Sequence, residues 1–121
     1  MKTILTVDDS PSIRQMVRLV LTQAGFKVEE AGDGSQGLAK ARTQAFDLVV
    51  TDLNMPVMDG LSLIRELRGL PNYRGVPIIF LTTESDGAIK QQAKAAGATG
   101  WMTKPFQKEQ LLAIASKFLG A

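Results

Sequence analysis

The chain contains no cysteine and no histidine. Without cysteine there is no disulfide framework and no thiolate chemistry. Without histidine, a Ser-His-Asp triad, a Cys-His pair and a His-ligated zinc site are all excluded. Long apolar runs are also missing: none approaches the roughly 20 residues a membrane span needs. Met1-Lys2, a short apolar stretch and then Asp8-Asp9 do not read as a signal peptide, so a cytoplasmic protein with no membrane partner is expected. Nor is there a dense basic run. The 14 lysines and arginines are scattered from Lys2 to Lys117 around a net charge of +2, whereas nucleic-acid binders cluster their basic residues. Those side chains read as solvated helix faces, and no nucleic-acid partner is expected. Any chemistry must come from carboxylates, hydroxyls and lysine.

What is present is the composition of an ordinary globule. At 121 residues, 45% hydrophobic and 21% charged, the chain fits one domain over 1–121, with no linker and no output domain expected after its last helix. Short apolar runs stand at 3–7 (TILTV), 47–51 (DLVVT), 76–81 (VPIIFL) and 99–102 (TGWM), with a weaker one at 26–31 (FKVEEA). Helical spacing fills the gaps. Ile13, Met16, Val17, Val20 and Leu21 form an amphipathic stripe, with Ser10 as N-cap, Pro11 at the first helical position and Gly25 as the stop. The segments 34–44 (Leu38, Ala41), 60–68 (Leu61, Ile64, Leu67), 86–96 (Ile89, Ala93, Ala96) and 108–119 (Leu111, Leu112, Ala115, Phe118, Leu119) repeat the theme. The segment 86–96 is the least apolar and reads as a lightly packed surface helix. This alternation predicts an α/β domain: five parallel strands with right-handed helical crossovers.

In open α/β sheets, ligands bind beyond the carboxyl ends of the strands at a switch in strand order. By that rule Asp8 and Asp9 after the first strand, Asp52 after the third, Thr82-Thr83 after the fourth and Lys104 after the fifth converge on one edge. Two carboxylates about 4 Å apart repel by on the order of 4 kcal/mol at an effective dielectric of about 20. Three carboxylates and one ammonium leave two negative charges, which a divalent cation cancels. An all-oxygen site without histidine or cysteine points to Mg²⁺, with Mn²⁺ as the alternative. A metal, a lysine and a hydroxyl around one carboxylate are the parts for phosphoryl transfer to that carboxylate. Thr82 and Thr83 are also plausible helix N-caps, and sequence alone does not separate them. Trp101, the only tryptophan, reads equally as an edge aromatic and as part of a switch.

Taken together, VDDS at 7–10, TDLNMPVMDG at 51–60, FLTTE at 80–84 and KPF at 104–106 resemble the response-regulator receiver domains of two-component signalling, in order, spacing and total length. The closest likeness is to the stand-alone, single-domain receivers of chemotaxis. The resemblance implies a flavodoxin-like, doubly wound sheet of order 2-1-3-4-5 with five helices, in three layers. It implies that Asp52 is the phosphoacceptor and that Asp9, Asp52 and the Asn54 backbone carbonyl ligate Mg²⁺, with Asp8 acting through a metal-bound water. Lys104 then pairs with the phosphoryl group, Thr82 is the switch hydroxyl, Trp101 occupies the switch-aromatic position where the chemotaxis family has tyrosine, and the Lys104–Pro105 bond is cis. The implied protein is a monomeric switch and not an enzyme beyond its own phosphorylation and dephosphorylation. A separate histidine kinase is its donor; a phosphatase and a downstream target, the flagellar switch or another effector, are its further partners. The target reads the surface of the fourth helix, fifth strand and fifth helix. The competing reading is a small Mg²⁺-dependent phosphatase of the haloacid dehalogenase type. That family places a second Asp two positions after its nucleophile, where this chain has Asn54.

Overall fold

Among the described residues five strands and five α-helices alternate: β1 (Thr3–Val7), α1 (Pro11–Gln23), β2 (Lys27–Ala31), α2 (Gly34–Thr43), β3 (Leu48–Asp52), α3 (Gly60–Arg68), β4 (Ile78–Thr82), α4 (Gly87–Ala96), β5 (Gly100–Thr103) and α5 (Lys108–Leu119). The computed structural model describes residues 1–83 and 87–120. Glu84 of the FLTTE string and Asp86, the expected first residue of the fourth helix, lie outside them. All strand pairs are parallel, in the order β2-β1-β3-β4-β5, as the sequence predicts.

The period of two along each strand builds two cores. Leu5, Val7, Val49 and Phe80 face α2, α3 and Ala93 of α4, while Ile4, Val50 and Leu81 face Val17 and Leu21 of α1 and Leu111 of α5. Strands buried on both faces have no room for alternating polar residues, and every residue of β3 and β4 is buried.

Helix ends follow local chemistry. The Ser10 hydroxyl accepts from the Ile13 amide with Pro11 at the first position of α1, and Gly25 follows at φ +99°, a left-handed conformation that costs glycine little. The Phe26 amide is spent on the Leu21 carbonyl of that helix end, so β2 begins at Lys27 rather than at 26. Pro77 has no amide for the ladder and only accepts from Val49, which moves the start of β4 to Ile78. Asp47 sits outside β3 because its carboxylate takes the Thr3 amide at 2.8 Å.

One element has no counterpart in the sequence reading: a short 3-10 turn at Pro71–Tyr73. Its Tyr73 is buried, with the hydroxyl donating to the Gln44 carbonyl at 2.8 Å.

A candidate acid pocket at the carboxyl edge of the sheet

Strand order reverses at β1, which lies between β2 and β3. Val7 of β1 pairs with Thr51 of β3, so the next residues, Asp8 and Asp52, emerge side by side. Neither is in open solvent. Asp8 is fully buried and Asp52 is 7% exposed. One carboxylate oxygen from each of Asp8, Asp9 and Asp52 lie within 4.8 Å of one another, with Asp9 on the exposed side.

Lys104 supplies the cation that such a cluster demands. Its Nζ donates to Asp8 Oδ2 at 3.1 Å and sits 3.3 Å from Asp52 Oδ2. The lysine is delivered by its own backbone, whose amide donates to the Thr82 carbonyl at 2.8 Å. The Lys104–Pro105 bond that follows is cis. Asp52 is set by two backbone features. Its Oδ1 accepts from the Leu53 amide at 2.9 Å, and α3 starts so close beneath it that a Cβ on Gly60 would stand 2.2 Å from the Asp52 carbonyl oxygen. Only glycine fits there.

Electrostatics inside the cluster are unbalanced. Burial, and then the neighbouring Asp8 carboxylate, hold the Asp52 carboxyl above its ordinary 3.8, against the lowering influence of Lys104 and the Leu53 amide. A site that penalises its own negative charge favours whatever brings positive charge to it. The donor set is oxygen-only, and solvent reaches it past Asp9. These residues fit a small hard cation such as Mg²⁺, which keeps several of its waters.

Thr82 is the last residue of β4 and is buried. Asn54 lies exposed two residues past Asp52. Trp101 stands apart from the acids on β5. It is 47% exposed, its ring stacked on Phe80 with centroids 6.2 Å apart and an interplanar angle of 27°. Lys90 Nζ lies 4.7 Å from the indole centroid. A cleft of about 320 Å³ runs between α4 and β5, lined by Phe80, Lys90, Lys94, Thr99 and Trp101.

Not all basic residues are solvated helix faces. Arg14 donates to the Asp8 main-chain carbonyl at 2.6 Å and pairs with Glu30 at 3.3 Å. Arg68 donates to Gly97, Val76 and Tyr73 carbonyls, joining the end of α3 to the turns before β4 and β5. The sequence carries no signal for either, since both sit at helical spacing where a surface charge is equally at home.

The response regulator receiver domain family matches residues 4–116. The chain is 39% identical over 119 residues to a probable chemotaxis protein CheY of Rhizobium etli, covering 98% of this chain and 92% of that one. Its fold superimposes on the Vibrio cholerae chemotaxis protein CheY4 with a TM-score of 0.94 at 47% identity, covering 98% of each chain. It superimposes on the receiver domain of the Pseudomonas aeruginosa sensor histidine kinase PA1611, described with a magnesium ion coordinated in its active-site cleft, with a TM-score of 0.91 at 32% identity, covering 99% of this chain and 98% of that one. Four other curated relatives are longer, and the chain spans 31% to 47% of their lengths. The chain belongs to the response regulator receiver family. It is a phosphorylation-activated signalling switch of the chemotaxis-regulator kind, not a classical enzyme, and the phosphatase alternative is set aside. Among the described residues no helix is long and apolar enough to cross a membrane.

Proposed function

We propose that Asp52 is the phosphoacceptor of a cytoplasmic, monomeric, chemotaxis-type signalling protein whose single receiver unit spans residues 1–121. The carrying observation is the lysine between two carboxylates, with Nζ 3.1 Å from Asp8 and 3.3 Å from Asp52. An oxygen of Asp52 attacks the phosphorus of a phosphohistidine on a separate kinase; the P–N bond breaks and the imidazole leaves with the bonding electrons. Attack of water on the aspartyl phosphate reverses the modification, with a phosphatase as a further partner. Lys104, already beside Asp52, shifts its ammonium to an oxygen of the incoming phosphoryl group. Asp9, Asp52 and the Asn54 backbone carbonyl would hold Mg²⁺ directly, and Asp8 through a water, with Mn²⁺ able to substitute. When bound, that ion supplies the positive charge that neutralises the phosphoryl oxygens in transfer.

The readout begins at Thr82, at the pocket edge. A phosphoryl group adds negative charge and three strong acceptor oxygens, and the Thr82 hydroxyl turns toward it. Trp101, on the strand beside β4, responds to the space and contacts that change. The surface of α4, β5 and α5 then alters its affinity for a target, either the flagellar switch or another effector. Support for the chemotaxis output comes from the relatives named as chemotaxis proteins.

Transfer of radiolabelled phosphate from an autophosphorylated two-component histidine kinase tests this reading. Wild type is expected to take up label in the presence of Mg²⁺, and the Asp52→Asn variant to take up none. Equal labelling of the two would overturn the assignment of Asp52.

A further inference from the structure

Asp8 is fixed at each of its four polar groups. Its amide donates to the Ala31 carbonyl at 3.1 Å, Oδ1 accepts from the Ser10 amide at 2.9 Å, Oδ2 accepts from Lys104 at 3.1 Å, and its main-chain carbonyl accepts from Arg14 Nη1 at 2.6 Å. The last contact differs in kind, because that carbonyl belongs to the peptide unit joining Asp8 to Asp9. A peptide unit is planar, so holding its oxygen also holds the Asp9 amide and the Cα from which the Asp9 carboxylate projects.

Arg14 is itself anchored. It rises from the first turns of α1, its Nε lies 3.3 Å from Glu30 Oε1 on β2, and Glu30 Oε2 is held in turn by Arg18 at 2.9 Å. The Arg14 and Glu30 side chains are only 21% and 22% exposed. A guanidinium is well shaped for this double contact, because its rigid fork serves the carbonyl and the carboxylate at once.

We propose that Arg14 is a positioning residue for the acid pocket. It does not touch the cation, and it orients Asp9 through the Asp8–Asp9 peptide, so setting the pocket's affinity for a divalent cation. The proposal rests on the acid pocket being the cation site. Its sign separates it from plain electrostatics. Arg14 is a cation near three carboxylates, so deleting its charge would by Coulomb attraction alone tighten divalent-cation binding. Deleting a positioning contact weakens it.

The test is direct cation binding, read by electron paramagnetic resonance of free Mn²⁺ displaced by Mg²⁺, on wild type, Arg14→Met and Arg14→Lys. Methionine keeps most of the alkyl stem and removes the donor; lysine keeps a donor. Arg14→Met should raise the dissociation constant about tenfold, the lower end of what losing an outer-shell partner costs. Arg14→Lys, which keeps a donor but not the fork, should recover only part of that loss. A folded Arg14→Met variant with unchanged or tighter binding overturns the proposal, and so does a lysine variant as weak as the methionine one. If Arg14→Met fails to fold, Arg14→Gln, neutral and too short to reach the Asp8 carbonyl, carries the same comparison. Absence of Mg²⁺-competed Mn²⁺ binding by wild type would overturn the cation-site reading along with it.

Discussion

Lys104 Nζ donates to Asp8 Oδ2 at 3.1 Å across 96 positions of sequence, closing the first and last strand ends on each other. Asp8 is fully buried, and a buried carboxylate stripped of its partner is costly, typically about 3–5 kcal/mol. Because Asp8 keeps its bond from the Ser10 amide, Lys104→Met should destabilise by about 3 kcal/mol, the low end of that range. Urea denaturation without divalent cation measures it. A loss below about 1 kcal/mol, the level of an exposed pair, would mean that Lys104 is not the counter-ion of Asp8.

Asp52 sets a pH dependence of definite sign. Burial and the Asp8 charge raise its carboxyl above 3.8 in the folded protein, so the native state binds the proton more tightly than the unfolded one. Its contribution to stability is therefore fully present below 3.8 and lost as pH rises through the folded value. Asp52→Asn should raise the melting temperature of the cation-free protein at neutral pH and flatten its pH profile in that window. A variant that melts lower at neutral pH than wild type would contradict this.

Cations should stabilise the fold by mass action, since binding to the native pocket relieves repulsion among Asp8, Asp9 and Asp52. Millimolar Mg²⁺ should raise the wild-type melting temperature, and Asp9→Ala should remove that rise. An undiminished Mg²⁺ response in Asp9→Ala would exclude Asp9 as a ligand.

Much of this pocket is legible in the sequence because Asp8 directly follows one apolar run, with Asp9 next to it, and Asp52 ends another, and strand ends are what an alternating pattern defines best. Asp8, Asp52 and Lys104 meet where their strand positions say they should. Element edges are less legible, because single bonds decide them: the Phe26 amide closing α1, the missing amide of Pro77, the Asp47 carboxylate on Thr3. Tyr73 and its 3-10 turn were hidden, since one aromatic between Pro71 and Gly75 has no period to reveal it. Arg14 and Arg68 were hidden for another reason. The contacts that tie them to the Asp8 peptide and to the turn at Gly97 are made to main-chain carbonyls, which every residue has, so no pattern of side chains marks those contacts.

Trp101 should give an optical report on the proposed switch. At 47% exposed, stacked on Phe80 and with Lys90 Nζ 4.7 Å from its ring, its emission senses both neighbours. Beryllofluoride with Mg²⁺ should change its emission or its quenching by iodide, and Thr82→Ala should greatly reduce the change. Indole emission and accessibility that stay fixed in a protein proven to be phosphorylated would show that the signal leaves the pocket by another element.

Whether Asp52 is the nucleophile is decided by intact-protein and peptide mass spectrometry after incubation with acetyl phosphate and Mg²⁺. The expected product carries a single added phosphoryl group, stable in acid, labile to base and hydroxylamine, mapped to Asp52 and absent from Asp52→Asn. A phosphoryl group of the same yield on the Asp52→Asn protein would contradict the assignment.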